Sequence, residues 1–443
     1  MLSADKMQRM KQINSRISYL QQQWGNLLPE ATNNAVVWVD SKEKLDGLSD
    51  ADIAQCKKDA ESRGAKAPYC IVIINTTQQP ILASLRNRDL RRQVYEASIH
   101  RADGTRPGFN TFSIVAEMAR LRAEKGSLMG YANYADYSLE KTMAKNSQNV
   151  NKFLAQLIKE YSPKADAETR AIEAYAQKTE GADFKLQPYD RFYYSALMKK
   201  EVLNISDDEV KPYFNLDSVV EKGVFYAAQR VYGLQFKHRP DIPTYHPDMK
   251  VFEVSNADGS PLALFYCDYY RRPTKRGGAW MSAFAKQSRE RHQLPIIYNV
   301  CNFAKAPEGQ PSYVTWDEVT TMFHEFGHGL HGLFRDVHYS GVSGVPRDFV
   351  ELPSQVMEHW VFEPEVLKVY AKHYQTGEVI PAELIEKLDK SGKYGQGFAT
   401  VEYLAASYLD MDFHALSGDP TDKNVIKFVD QTNNVPANLD VMA

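Results

Sequence analysis

The chain has 443 residues, 43% hydrophobic and 25% charged, with a formal net charge of -3. That is the make-up of a soluble globular protein longer than one ordinary domain, with enough apolar residues for a large core. The charge gives no basis for a nucleic-acid or anionic-membrane partner, and no run of about 18 apolar residues is present to span a bilayer.

In chain order, the opening Met1-Leu2-Ser3-Ala4-Asp5-Lys6 does not read as a signal peptide. Met7, Met10, Ile13, Ile17, Leu20, Trp24 and Leu27 step by three and four, which predicts a helix packed by one apolar stripe. Further helices are expected near 84–100, 109–128, 148–178 and 216–232. Strand character begins after about residue 235: Val251–Val254 and Leu262–Tyr266 flank the turn-forming Asn256-Ala257-Asp258-Gly259-Ser260, and Pro295–Val300 reads as a third strand. The four cysteines, Cys56, Cys70, Cys267 and Cys301, form no Cys-x-x-Cys pair, which argues against a cysteine metal or redox motif. Cys267 and Cys301 fall in apolar runs and are expected as buried thiols.

The most informative stretch is His324-Glu325-Phe326-Gly327-His328. On a helix, residues four apart lie about 40° apart, so both imidazoles reach one ion, and Glu325 stands within about a third of a turn of them. This spacing is that of zinc hydrolases, in which the ion activates water and the glutamate is the general base. The local sequence supports a rigid helix. Thr315 and Glu318 form a capping box, Val314 and Val319 a hydrophobic staple, and Asp317 and Glu318 suit the positive end of the helix dipole. Val319, Met322, Phe326, Leu330 and Leu333 fall opposite the histidines, bordered by Phe323 and Phe334.

Two ligands do not hold a catalytic zinc. His331 lies a turn beyond the pair and reads either as a residue lining or supporting the site or as a plain surface histidine. A better third ligand is Glu351, in Arg347-Asp348-Phe349-Val350-Glu351-Leu352-Pro353-Ser354-Gln355, which follows the glycine-bearing loop 340–344 and opens a second helical pattern. Pro353 fits only the first turn of that helix. From spacing alone Glu351 is either a ligand or a capping carboxylate. Glu358, seven residues on, is placed to accept the outer N–H of a zinc-bound imidazole, with Gln355 as the competing candidate.

The segments His324–Leu333 and Arg347–Gln355 resemble the thimet oligopeptidase and peptidyl-dipeptidase family of zinc metallopeptidases, with the nearer likeness to bacterial peptidyl-dipeptidases, or dipeptidyl carboxypeptidases. Pro188–Tyr194, Lys211–Phe214, Val251–Val254, Lys275–Trp280 and Val300–Phe303 agree with it. The resemblance implies one zinc ion held by His324, His328 and Glu351, with Glu325 as catalytic base. It implies a mainly α fold with a small β-sheet, in two helical lobes around a substrate channel. The division expected is a helical lobe over 1–235, a zinc-binding lobe with the sheet over 236–390 and a helical segment over 391–443. The activity implied is hydrolysis of short peptides with release of C-terminal dipeptides; the alternatives are an endo-acting oligopeptidase and a non-catalytic peptide-binding fragment. The expected protein is a monomer acting on short peptides, without nucleic-acid or membrane partners.

One departure stands out. In the family a Gly- and Tyr-rich segment with a histidine follows the zinc helices, binds substrate and steadies the reacting carbonyl oxygen. Gly395–Tyr403 resembles the region before it, and the chain then stops at Val441-Met442-Ala443. The chain also starts later than its relatives, so it reads as a fragment. The compartment expected is the cytoplasm, with the periplasm open for a longer natural chain. For substrate contacts the sequence offers a sheet edge that can pair with an extended peptide, the basic loop Arg271–Gly278, and Arg347; it does not choose among them.

Overall fold

The computed structural model describes residues 2–416, except 74–78, 206, 273–274, 276 and 307–308. Arg276 of the basic loop and the terminal Val441-Met442-Ala443 therefore lie outside the described residues. Among the described residues the chain is mainly helical, with one small mixed sheet and a two-stranded ribbon. Among the described residues no helix is long and apolar enough to cross a membrane.

The chain divides into two compact units, residues 1–202 with 393–443 and residues 203–392. In the first, the apolar stripe of the N-terminal segment forms the helix Ala4–Asn34, capped by the Ser3 hydroxyl and buried through Ile13 and Leu20. Arg9 and Arg16 pair with Glu124 and Glu117 of the helix Phe112–Leu128. The expected helices near 84–100 and 148–178 appear as Arg88–Ile99 and Ser147–Glu180. The helix Gln396–His414 clusters with this unit; its first turn donates backbone N–H bonds from Gly397 and Phe398 to the Glu168 carboxylate at 2.9 and 2.8 Å. The first half is not helical throughout, since Val37–Val39 and Tyr69–Ile71 pair antiparallel.

The second unit begins earlier than residue 236, and the reason is packing. Leu216, Val219, Val224 and Phe225 bury in the same core as Phe265 and Phe326. This stretch is also not one regular helix: Leu216–Ser218 and Phe225–Tyr232 are α-helical, and Val219–Val224 between them is a wider π-type turn. The sheet has five strands in the order Gln235–His238, Lys250–Ser255, Pro261–Tyr270, Ile296–Phe303, Trp280–Ala285. All neighbours are antiparallel except Pro261–Tyr270 with Ile296–Phe303. The predicted hairpin turn is present, with Gly259 at φ +83° and Asp258 accepting from the Ser260 N–H. The two outer strands are additions to the three that periodicity gave. Cys267 and Cys301 are buried in this sheet, and all four cysteines are free thiols.

The helix Trp316–Leu333 lies on the sheet and starts as its sequence dictates. Thr315 Oγ1 accepts from the Glu318 N–H at 3.2 Å, and Glu318 Oε2 accepts from the Thr315 N–H at 2.8 Å. Val314, Val319, Met322, Phe323, Phe326, Leu330 and Leu333 are all buried. Phe334 is the exception to the apolar face: it follows the last helical turn, stays 41% exposed and packs on Tyr232.

Candidate metal centre

The histidine helix carries His324 and His328 on one side, and the short helix Leu352–Glu358 is brought against it by Gly327. A Cβ at Gly327 would stand 2.5 Å from the Pro353 carbonyl oxygen and 2.6 Å from the Ser354 Cα. Only a residue without a side chain allows so close an approach of two backbones. Pro353 occupies the first turn, as its missing N–H permits, and Glu351 is the residue at the helix start.

That docking sets the Glu351 carboxylate between the imidazoles. Glu351 Oε2 is 3.1 Å from His328 Nε2 and 3.3 Å from His324 Nε2. One ligand atom from each of the three residues lies within 4.8 Å of the others, so the group could hold a metal ion. Two of the three, His324 and Glu351, are braced from behind. His324 Nδ1 is 2.6 Å from Glu358 Oε1, the outer contact that fixes an imidazole tautomer and leaves Nε2 free as a ligand. The Ser354 hydroxyl donates to Glu351 Oε2 at 2.9 Å. Burial works against ionisation of Glu351, but the Ser354 hydroxyl and the two imidazoles outweigh it and hold its carboxyl below the ordinary value. Burial also lowers the pKa of His328, against the pull of Glu351, and so favours the neutral imidazole that binds metal.

Glu325 is only 6% exposed and lies on the same helix. Burial raises its carboxyl to about 7; the His324 imidazole opposes this and the Glu351 carboxylate adds to it. Its Oε2 is buried and has no hydrogen-bond partner among the described residues. A buried carboxylate oxygen without a donor is costly unless something polar fills the space before it. The donor set, two imidazoles and a carboxylate, is that of zinc sites that keep one position open for water. The orphaned Glu325 oxygen fits a water in that position, so the residues present suit a bound zinc ion.

The remaining candidates are placed as follows. Gln355 is exposed, and no hydrogen bond joins its side chain to either imidazole among the described residues. His331 stands outside the group of three, edge-on to Phe349 at 6.2 Å, its pKa lowered by burial and then by Arg335. The basic loop is occupied by its own acid: Arg272 Nη1 and Nη2 donate to Asp268 at 2.7 and 2.8 Å, and Lys275 Nζ donates to Asp268 Oδ1 at 2.9 Å. Arg347 is exposed.

Sequence reasoning passed over Asn299 and three glycines. Asn299 is fully buried in the sheet and donates from Nδ2 to the Glu325 carbonyl at 2.8 Å, tying the centre of the histidine helix to the strand beneath. Gly329 lies beside this contact; a Cβ there would be 3.3 Å from Phe265 Cε2. Gly332 faces Ile297 and Met281 with less room, 2.8 and 3.1 Å from a Cβ. The available signal was the run Gly327, Gly329 and Gly332 within one helix, unfavourable for helix formation by about 1 kcal/mol each and so placed there for close packing.

The description of Peptidase family M3 matches residues 81–441. Dipeptidyl carboxypeptidase of Escherichia coli (strain K12) is 37% identical over 427 residues, 96% of this chain and 62% of that protein. Oligopeptidase A of the same organism is 36% identical over 423 residues, 94% of this chain and 62% of that protein. A mitochondrial intermediate peptidase of Arabidopsis thaliana is 32% identical over 326 residues, 71% of this chain and 45% of that protein. The chain thus spans less than two thirds of the length of these relatives.

Proposed function

The chain belongs to peptidase family M3, and from that premise we propose that it is a zinc metallopeptidase that hydrolyses short peptides and releases dipeptides from their C-termini. His324, His328 and Glu351 are the zinc ligands in this reading, and Glu325 is the general base. The observation that carries it is the convergence of both Nε2 atoms on one Glu351 oxygen, at 3.1 and 3.3 Å. When bound, zinc supplies Lewis acidity, polarising a peptide carbonyl and acidifying a water.

The protein's own residues supply the rest. Glu325 Oε2 takes the proton of the attacking water and returns it to the leaving amine, and a carboxyl raised to about 7 by burial is suited to both transfers near neutral pH. Glu358, 2.6 Å from His324 Nδ1, keeps that imidazole turned toward the ion. Ser354 holds the ligating oxygen of Glu351 in place.

Purified protein should contain about one zinc ion per chain by elemental analysis, and Glu351→Ala should lose it. Glu325→Gln should keep the zinc and lose peptide turnover followed by mass spectrometry. A protein that takes up no divalent metal, or a Glu325→Gln variant that cleaves at the wild-type rate, would overturn the reading. The identity to proteins named oligopeptidase A favours a second reading, an endo-acting oligopeptidase. Equal cleavage of free-acid and C-terminally amidated peptides would support that one.

A further inference from the structure

A cavity of about 260 Å³ opens beyond the last turn of the histidine helix. Its walls include Met281, Ser282 and Ala283 of the outer strand, together with Gly332, Arg335 and Lys286. Gly332 follows His328 by four residues, so it lies on nearly the same side of the helix and about 6 Å further along it. A Cβ at Gly332 would stand 2.8 Å from Ile297 Cδ1 and 3.1 Å from Met281 Cε. The bare backbone lets the outer strand close against the helix end and form the wall.

Two cations meet this space without an acid. Arg335 is half-buried and Lys286 exposed, and among the described residues neither pairs with a carboxylate. The acid next in sequence, Asp336, is already taken. Arg289 donates to its two oxygens at 2.8 and 2.5 Å, and Gln287 Nε2 donates to it at 3.1 Å. Gln287 Oε1 also accepts from the Val337 N–H at 3.1 Å. These bonds brace the segment carrying Lys286 against the one carrying Arg335. The Arg335 charge lies close enough to act on His331, three residues beyond His328. A half-buried guanidinium without a counter-ion is best satisfied by a carboxylate, which it can bind with two parallel hydrogen bonds.

We propose that this cavity receives the C-terminal carboxylate of a peptide substrate, with Arg335 and Lys286 as its anchors. The inference rests on the peptidase reading above and adds which residues hold the end of the substrate. An extended peptide advances about 3.3–3.6 Å per residue, so two residues place the carboxylate roughly 7 Å beyond the scissile bond. On an ideal helix Gly332 lies about 6 Å further along the axis than His328, a step of the same order. Trp280–Ala285 is the outermost strand of its sheet, and its unpaired edge offers backbone groups that hold an extended chain on course for the cavity.

The test is binding, measured by calorimetry in the Glu325→Gln background so that peptide is not consumed. Matched peptides with a free carboxylate and with a C-terminal amide are compared. The free acid should bind about tenfold or more tightly than the amide, the range of a charge-assisted hydrogen bond. Arg335→Gln should reduce that preference to nearly unity, Lys286→Gln should reduce it in part, and Arg335→Lys should restore some of it. Affinity for the amide, zinc content and melting temperature should not move. Equal binding of acid and amide, no detectable binding of the acid, or a preference that survives Arg335→Gln overturns the proposal. The two readings fail separately. A protein that prefers free acids but hydrolyses nothing keeps the anchor site and loses the peptidase, whereas one that cleaves acids and amides alike keeps the peptidase and loses the anchor site.

Discussion

Gly327→Ala is a discriminating substitution, because two physical rules predict opposite signs for it. Helix propensity alone predicts a gain of about 1 kcal/mol for replacing a mid-helix glycine by alanine. The structure predicts a loss. The new Cβ would stand 2.5 Å from the Pro353 carbonyl oxygen, 2.6 Å from Ser354 Cα and 2.9 Å from the Pro353 carbonyl carbon. All three are backbone atoms, so no side chain can rotate away, and ordinary contact requires the short helix to recede by roughly 1 Å. Overpacking of this kind costs about 1–3 kcal/mol. The helix that recedes carries Glu351 at its start, and metal-ligand distances tolerate only about 0.2 Å. Zinc affinity should therefore fall about tenfold to a hundredfold even where the protein remains folded. Competition against a chromophoric chelator measures the affinity, and thermal unfolding of the metal-free protein measures the stability. Gly341→Ala is the control, since a Cβ there meets nothing within 4 Å. If Gly327→Ala is more stable than the wild type and binds zinc equally well, the close-approach argument is refuted.

Two further predictions concern the site and its sheet. Glu358→Ala removes the 2.6 Å partner of His324 Nδ1 and should weaken zinc binding about tenfold to a hundredfold, with Glu358→Gln intermediate; unchanged affinity in a chelator competition would remove Glu358 from the account. Asp268 is buried, which opposes its ionisation, but Arg272, Tyr245 and Lys275 prevail and bring its carboxyl to about 2 from 3.8. A folded-state pKa below the unfolded one stabilises the protein above the unfolded value and ceases to do so as pH falls through the folded one. The shift corresponds to about 2 kcal/mol, present above pH of about 4 and lost toward pH of about 2. Denaturant titrations should show Asp268→Asn less stable than wild type by about that much at pH 6, with the gap narrowing below pH 4; a gap independent of pH would contradict the assignment.

The parts of the site legible in the sequence are those fixed by local spacing. The capping box at Thr315, the apolar face from Val319 to Leu333 and the histidine pair all depend on residues within a few turns of one another, and all appear as read. Glu351 was legible as a candidate because Pro353 marks the first turn of the next helix. What was not legible depends on which surfaces meet. Residues 216–232 show a helical period, and the structure inserts a π-type turn at Val219–Val224, where Gly223 admits the Tyr370 ring within 3.1 Å of where a Cβ would be. Trp280–Ala285 has no clean alternation, because it is half-covered along its length and its pairing with Ile296–Phe303 is interrupted between Ala283 and Ala285. Val37–Val39 and Tyr69–Ile71 are β-branched and aromatic enough to have been read as strands; the helical period around them masked the signal.

The same division explains why the glycines carry so much of the geometry. An imidazole pair on a helix specifies a direction, and any carboxylate could complete it if the second helix came near enough. The approach distance is set by what the helix lacks at Gly327. On the other side, Gly329 faces the Phe265 ring of the sheet, beside Asn299, which donates to the Glu325 carbonyl at 2.8 Å. That bond is made at the residue whose side chain is proposed to move the proton. The histidine helix is thereby held at one point from above by a backbone and from below by a buried amide, with the three ligand atoms within 4.8 Å of one another as the consequence. Enlarging Gly327 should therefore disturb metal binding before it disturbs the fold, because a core accommodates a shift of several tenths of an ångström that a coordination shell does not.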